Sequence, residues 1–222
     1  MTASAAGGGG RRTGALFTPA AKEDRDDATA FTGRVARWDT AGPVRLRTDG
    51  EMVRMWATTP FDALVTRAVR GHLVPSDVTV HAGNLLSGLA VATSPDVDPG
   101  PVVDASWRTQ LPPAAGWVAV DEVPAAVLAA LAEEGATNAR ERPGPAGAAS
   151  TALLDTEVLT VSGAGMRVVL TLRVVFALAG MGFAPAVPEE IVRVSATDAW
   201  ARIDGRYGAV VRRRHALLPL LM

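Results

Sequence analysis

A chain of 222 residues that is 48% hydrophobic can bury a sizeable core without cross-links, as one large domain or two small ones. The lack of cysteine excludes thiol catalysis, cysteine-ligated zinc, iron–sulfur clusters and a disulfide framework, and makes the cytoplasm the expected compartment. A net charge of −1 supplies no global attraction to nucleic acid or to an anionic membrane surface.

Local charge is uneven. Residues 31–72 hold seven arginines against four acids, residues 73–137 one against eight, and residues 138–222 ten against seven. An acidic middle between basic flanks suits packing across them or a face for a partner, although such asymmetry commonly serves solubility alone. One lysine stands beside twenty-one arginines, the usage of a GC-rich bacterial genome, so arginine abundance by itself carries no functional meaning. The most apolar stretch, residues 166–183, is interrupted by Arg167 and Arg173 and fits a core element better than a membrane span. Neither export nor membrane insertion is expected.

Residues 1–30 open on a glycine run and end in KEDRDD, a composition that cannot offset its ordering entropy, and are expected as a disordered tail. Within it Ala15-Leu16-Phe17 is an apolar island able to dock on the domain or on a partner, with the undocked state favoured. Residues 31–56 are expected as three strands, AFTGRVARW, PVRLRT and EMVRMW, because arginine alternates with apolar positions, and Asp49-Gly50 suits a two-residue turn. Thr59-Pro60 then starts an expected helix, capped by Thr59, with Phe61, Leu64, Val65, Ala68 and Val69 on one face and Gly71 as its stop.

VTVH around Val78 reads as a strand, while AGNLLSGLAVA fits either a strand or a short helix. The loop SPDVDPG, residues 94–100, is the expected boundary between an N-terminal half, residues 31–95, and a C-terminal half, residues 101–222, either as separate units or sharing one core. Residues 121–134 predict a helix capped by Asp121 and ended at Gly135, and residues 148–154 a second, short one. Residues 156–183 carry the strongest local signal: strand, tight turn at Gly163-Ala164-Gly165, strand, then a helix with Leu172, Val175, Phe176 and Ala179 on one face. The chain closes in a meander at 191–194, 200–203 and 207–212. Arginine alternates around both DG dipeptides, Asp49-Gly50 and Asp204-Gly205, and independent use of one turn chemistry is favoured over an internal duplication.

Signals of chemistry are sparse. His72, His81 and His215 have no metal-ligand spacing; His81, at the end of its strand, is the one best placed for a site, although an ordinary polar role outweighs a catalytic one. Asp96, Asp98 and Asp104 read as loop acids, and neither a metal nor a cofactor is expected. Gly163-Ala164-Gly165 leads into a strand, so no helix N-terminus is offered to a phosphate. Trp38, Trp56, Trp107, Trp117 and Trp200 fall at strand ends or beside loops, where they cap a core or line an interaction groove, capping being the commoner role.

The order helix, helix, strand, strand over residues 121–172 resembles the latter part of winged-helix modules, whose second helix enters the major groove. The resemblance would imply nucleic-acid contacts at Arg140, Arg142 and Arg167, joined by the run Arg212, Arg213 and Arg214. Against it, AASTALLD carries no arginine and the middle of the chain is acidic. The expected architecture is α+β, mainly antiparallel, with three to five helices and a winged-helix-like second half. The favoured function is a non-enzymatic interaction or regulatory module whose partner is another protein; nucleic-acid binding and an enzyme site near His81 are the alternatives.

Overall fold

Two antiparallel meanders meet in the middle of one sheet in the computed structural model, which describes residues 14–141 and 150–214. The first meander comprises β2 (Pro43–Asp49), β3 (Met52–Thr58) and β4 (Leu64–Val74), and the second β9 (Ile191–Ala196), β10 (Trp200–Gly205) and β11 (Gly208–Arg213). Their third strands pair with each other, Val210 lying opposite Val65 and Val211 opposite Leu64. β5 (Asp77–His81) flanks the first meander and β6 (Val118–Pro124) the second, giving the order β5-β2-β3-β4-β11-β10-β9-β6. β1 (Leu16–Pro19) is added on the far end of β4, and β7 (Glu157–Gly163) with β8 (Met166–Thr171) forms a separate hairpin. Each half thus contributes one meander and one edge strand to a shared sheet, arranged alike outward from the β4–β11 pair.

One face of that sheet carries the main core. Alternation along the strands sends Val44, Leu46, Val53, Met55, Val65, Val194, Ile203 and Val210 to this face, all of them buried. Over it lie α1 (Lys22–Trp38), α2 (Ala82–Val91), α3 (Ala125–Glu141) and α5 (Leu172–Met181), whose buried residues include Phe31, Val35, Leu85, Leu128, Val175 and Leu178. A fifth helix, α4 (Thr151–Leu154), is a single turn capped by Ser150, whose Oγ accepts the Leu153 N–H at 3.2 Å. The fold is therefore α+β, mostly antiparallel, with five helices among the described residues. None of them is long and apolar enough to cross a membrane.

Several expectations need correction. Residues 14–30 are not a tail: Phe17 is fully buried, β1 pairs with β4, and α1 begins at Lys22. AFTGRVARW is the end of α1 and not a strand, since Ala28, Phe31, Thr32, Val35 and Ala36 are buried at helical spacing. Arg34, Val35, Arg37 and Trp38 mimic a period of two only when the preceding KEDRDDAT is set apart. The helix expected from Thr59 is instead a turn followed by β4. Thr59 Oγ1 does accept the Phe61 N–H at 3.2 Å, but pairing with β3 and β11 overrides the apolar period beyond it. Gly71 is no helix stop: at φ 156° it lets β1 approach so closely that a Cβ there would lie 2.4 Å from the Thr18 carbonyl oxygen.

In the second half Asp121 belongs to β6, and the helix starts at Ala125 and runs through Gly135 to Glu141, because Gly135 packs closely on Leu172 and Phe176 of α5. Residues 82–91 resolve to helix. The 156–183 stretch forms the expected hairpin and helix, with Ala164 and Gly165 at φ 49° and 74° in the turn. Its surroundings are not those of a winged helix: α4 is one turn packed on α5, and Val161, Val168 and Leu170 bury the hairpin in the main core. The two DG turns are not equivalent either, joining β2 to β3 in one meander and β10 to β11 in the other.

Candidate partner-binding groove

Away from the helices, the sheet carries Trp56, Leu64, Trp200 and Val211 as a second, smaller buried cluster. Its cover is the connector between α2 and β6, which supplies Trp107, Leu111 and Trp117. The connector is tied to the β5 edge, where the Val103 N–H donates to the Thr79 carbonyl at 2.7 Å and the Thr79 N–H to Asp104 Oδ1 at 2.6 Å. It then crosses the sheet. The Arg45 guanidinium sits 5.9 Å from the Trp107 ring centre, Trp107 Nε1 donates to the Thr109 carbonyl at 2.5 Å, and Arg213 donates to Gln110. Trp56, Trp107, Trp117 and Trp200 thus cap a core, whereas Trp38 ends α1 on the other face.

The groove lies where the pairing of β4 and β11 stops. Beyond Val211 opposite Leu64, β4 gives way to the turn containing Asp62, while β11 runs on through Arg213. A space of about 470 Å³ opens there, with Leu64, Trp200 and Val211 as its floor and Thr58, Gln110 and Arg214 on its rim. That volume is within the range of ligand-sized clefts. The Arg214 N–H turns to the Ala199 carbonyl at 2.9 Å, on the β10 side, so alternation turns the backbone polar groups of Arg213 toward the groove. Among the described residues, no strand pairs with β11 on that side beyond Val211.

Charge at this end is arranged by ion pairs. Arg212 donates to the Asp62 carbonyl and carboxylate at 3.2 and 3.3 Å, joining the last strand to the β3–β4 turn across the two halves. Arg173 grips Asp155 through two hydrogen bonds at 2.6 and 3.2 Å, which hold the Asp155 carboxyl below the usual carboxylate range. Asp77 is held low in the same way by two 2.8 Å bonds from Arg45. On the helix side, Phe61 from the same turn contacts Trp38 edge-on and Phe176 at a tilt, each at 5.8 Å between ring centres, so one turn stitches both faces of the junction.

The structure brings Arg167, Arg212, Arg213 and Arg214 of the foreseen arginine set to one end of β11, where the side chains of Arg212, Arg213 and Arg214 make internal contacts and Arg167 takes part through its carbonyl. Arg213 lies over Trp200 at 4.4 Å, and Arg214 donates to the carbonyls of Thr197 and Arg167 at 2.8 Å each. Arg140 is elsewhere, on α3 beside Phe61 and Phe176, and Arg142 lies outside the described residues. His81 Nδ1 faces the Ala41 carbonyl at 2.6 Å. Asp96, Asp98 and Asp104 each accept a hydrogen bond from nearby chain, from Thr18, Gly100 and Thr79. Among the described residues no group of three or more acidic or histidine side chains is arranged to hold a metal ion. Sequence reasoning missed Thr58, Asp62 and Gln110, whose role arises only from pairing across 150 residues of chain, as between Asp62 and Arg212.

Residues 13–109 match a family model described as Domain of unknown function (DUF8010), and residues 112–217 one described as Domain of unknown function (DUF8185). The join between them falls in the connector, beside Gln110. No match exists among curated protein sequences. Among solved structures the chain is similar to the DNA polymerase sliding clamp from Caulobacter crescentus, at 13% identity and a TM-score of 0.58, covering 94% of this chain and 67% of that one. It is also similar to the DNA polymerase sliding clamp from Bacillus subtilis (10% identity, TM-score 0.57, 92% and 66% covered). The DNA polymerase III beta subunit from Thermotoga maritima is a further match (11%, 0.51, 92% and 66%). The chain spans about two thirds of the length of these structures. At such identities the likeness is one of fold.

Proposed function

We propose that this chain is a bacterial, cytoplasmic, non-enzymatic interaction module whose groove at the β4–β11 junction receives a short extended segment of a partner protein. The observation that carries this reading is the groove itself: an apolar floor, a β11 edge that is unpaired beyond Val211 among the described residues, and arginine on the rim. An extended peptide adds main-chain hydrogen bonds along such an edge and places alternate side chains on the floor. With Arg212, Arg213 and Arg214 against Asp62, charge complementarity selects a peptide of apolar residues flanked by an acid. The likeness to sliding clamps supports a scaffold role, and the division at the 94–100 loop into two halves that build one sheet is part of the same proposal. Peptide display against the full chain tests it. Selected peptides should share an acidic–apolar pattern and lose at least about tenfold in affinity for Thr58→Trp, which fills the groove from an exposed rim position. Peptides that bind both proteins equally would refute it.

Nucleic-acid binding is the second reading, favoured by the clamp-like fold and by the four arginines that gather at the end of β11. The helix layer speaks against it as a duplex-facing surface. α1 carries four basic and four acidic side chains, α2 none, α3 one arginine against three glutamates, and the single arginine of α5 is committed to Asp155. Phosphate binding needs an excess of positive charge that this layer lacks. A duplex titration at low salt decides: the proposal of a protein partner expects no association, whereas binding that Arg167→Ala, Arg213→Ala and Arg214→Ala together abolish would favour nucleic acid.

A further inference from the structure

β11 presents arginine to both faces of the sheet. Val210 points into the main core, so alternation sends Arg212 and Arg214 to the helix side, while Arg213 stays over Trp200 on the other. On the helix side a recess of about 100 Å³ lies between β8 and the β10–β11 pair, lined by Arg167 and Val169 of β8, Val174 of α5, Ala201 of β10, and Arg212 and Arg214. Sites for drug-sized ligands start at about 300 Å³, so this space suits a small ion.

Its arginines are held in place before any ligand arrives. Arg214 Nη1 donates to the Thr197 carbonyl and Nη2 to the Arg167 carbonyl, at 2.8 Å each. Arg212 is held through Nε and Nη2 by Asp62, and Arg173 beside it by Asp155. Among the described residues, the Arg167 guanidinium, Arg212 Nη1 and Arg214 Nε have no hydrogen-bond acceptor. Five guanidinium groups, Arg167, Arg173, Arg212, Arg213 and Arg214, gather here against three carboxylates, Asp62, Asp155 and the exposed Asp198 of the β9–β10 turn. Like charges held this close repel one another, and a bound anion offsets that cost.

We propose that the recess binds a phosphoryl dianion, either inorganic phosphate or the phosphate monoester of a larger ligand. Arg167 meets the anion from the β8 wall, and Arg212 and Arg214 meet it from the β11 wall. Phosphate oxygens accept several charge-assisted hydrogen bonds at once, and the planar fork of arginine matches their geometry. The bound anion then ties the β7–β8 hairpin to the end of β11. The site goes beyond the groove reading and does not depend on it, since the recess lies on the helix side of the sheet.

The test titrates sodium phosphate into the full chain by calorimetry and follows thermal melts, with sodium chloride at equal ionic strength as the control. Phosphate should bind at one saturable site and raise Tm, whereas chloride should not. Arg167→Gln removes an exposed side chain that bonds to no described residue, so the unliganded Tm should stay unchanged while phosphate affinity falls at least about tenfold. Arg167→Lys, which keeps the charge, should lose less. A degenerate phosphoserine peptide library and its serine counterpart identify the source of the phosphoryl group. Phosphopeptides that bind tighter than phosphate and depend on Arg167 assign the monoester of a partner protein; phosphopeptides that bind no tighter assign the free ion. A response to phosphate no greater than to chloride would overturn the inference, as would phosphate binding left intact by both Arg167→Gln and Arg214→Gln. Duplex DNA that displaces phosphate more effectively than the phosphopeptides would give these arginines to a phosphodiester backbone and refute a monoester site. Acidic–apolar display peptides that still discriminate Thr58→Trp would leave the groove standing if phosphate fails to bind.

Discussion

The Arg213 guanidinium lies 4.4 Å from the centre of the Trp200 ring, on the residue that pairs with it across β10 and β11. This contact fixes one wall of the groove and holds a positive charge over an aromatic floor. Arg213→Ala should lower stability by about 1 kcal/mol in urea unfolding, with Arg213→Lys losing less, since a cation–π pair at a half-exposed site contributes on that order.

Gly88 tests the fit of the connector on the helices. In the interior of a helix such as α2, alanine is ordinarily favoured over glycine by about 1 kcal/mol. Here a Cβ would lie 2.1 Å from the Asp98 carbonyl oxygen, a backbone atom that cannot move aside cheaply. The clash wins: Gly88→Ala should destabilise by about 1–3 kcal/mol and raise hydrogen exchange across the 94–117 connector.

Asp77 gives the chain a stability component with a defined pH window. Arg45 bonds to both its oxygens and Arg47 approaches to 3.0 Å, holding its folded-state value below the unfolded one. Its contribution is present above the unfolded carboxylate value of about 4 and disappears as pH falls through the lower folded value. Asp77→Asn should cost about 1 kcal/mol at pH 7, after discounting for solvent screening. The gap between the two proteins should close as the pH is taken below about 4, which chemical denaturation at several pH values will reveal.

Phe61 bridges Trp38 of α1 and Phe176 of α5, so it couples the halves on the helix side as Arg212 and Asp62 do at the sheet. Phe61→Ala should cost about 2–3 kcal/mol, less than for a fully buried phenylalanine because its ring is only partly enclosed. A single cooperative unfolding transition should persist, at lower denaturant.

How much was legible follows from the range of the interactions. The 156–183 hairpin and helix, the closing meander and the Asp49-Gly50 turn rest on local turn chemistry and period, and the sequence shows them directly. α1 and β4 were misread because each has an apolar set that fits two periods. Pairing with β3, with β1 and with the distant β11 decides β4, and the acidic first turn disguised α1 as a tail. The arginine run 212–214 was visible, but its use was not: Asp62, Gln110 and Trp200 determine that use, and only the fold brings them to it.

The most direct measurement is amide hydrogen exchange of the full chain with and without a display-selected peptide. Protection should rise at residues 58–64, at Thr109 and Gln110 and along residues 211–214, while α1 and α3 stay unchanged. Protection that appears on the helix layer instead, or nowhere in the groove, would contradict a partner site at the β4–β11 junction.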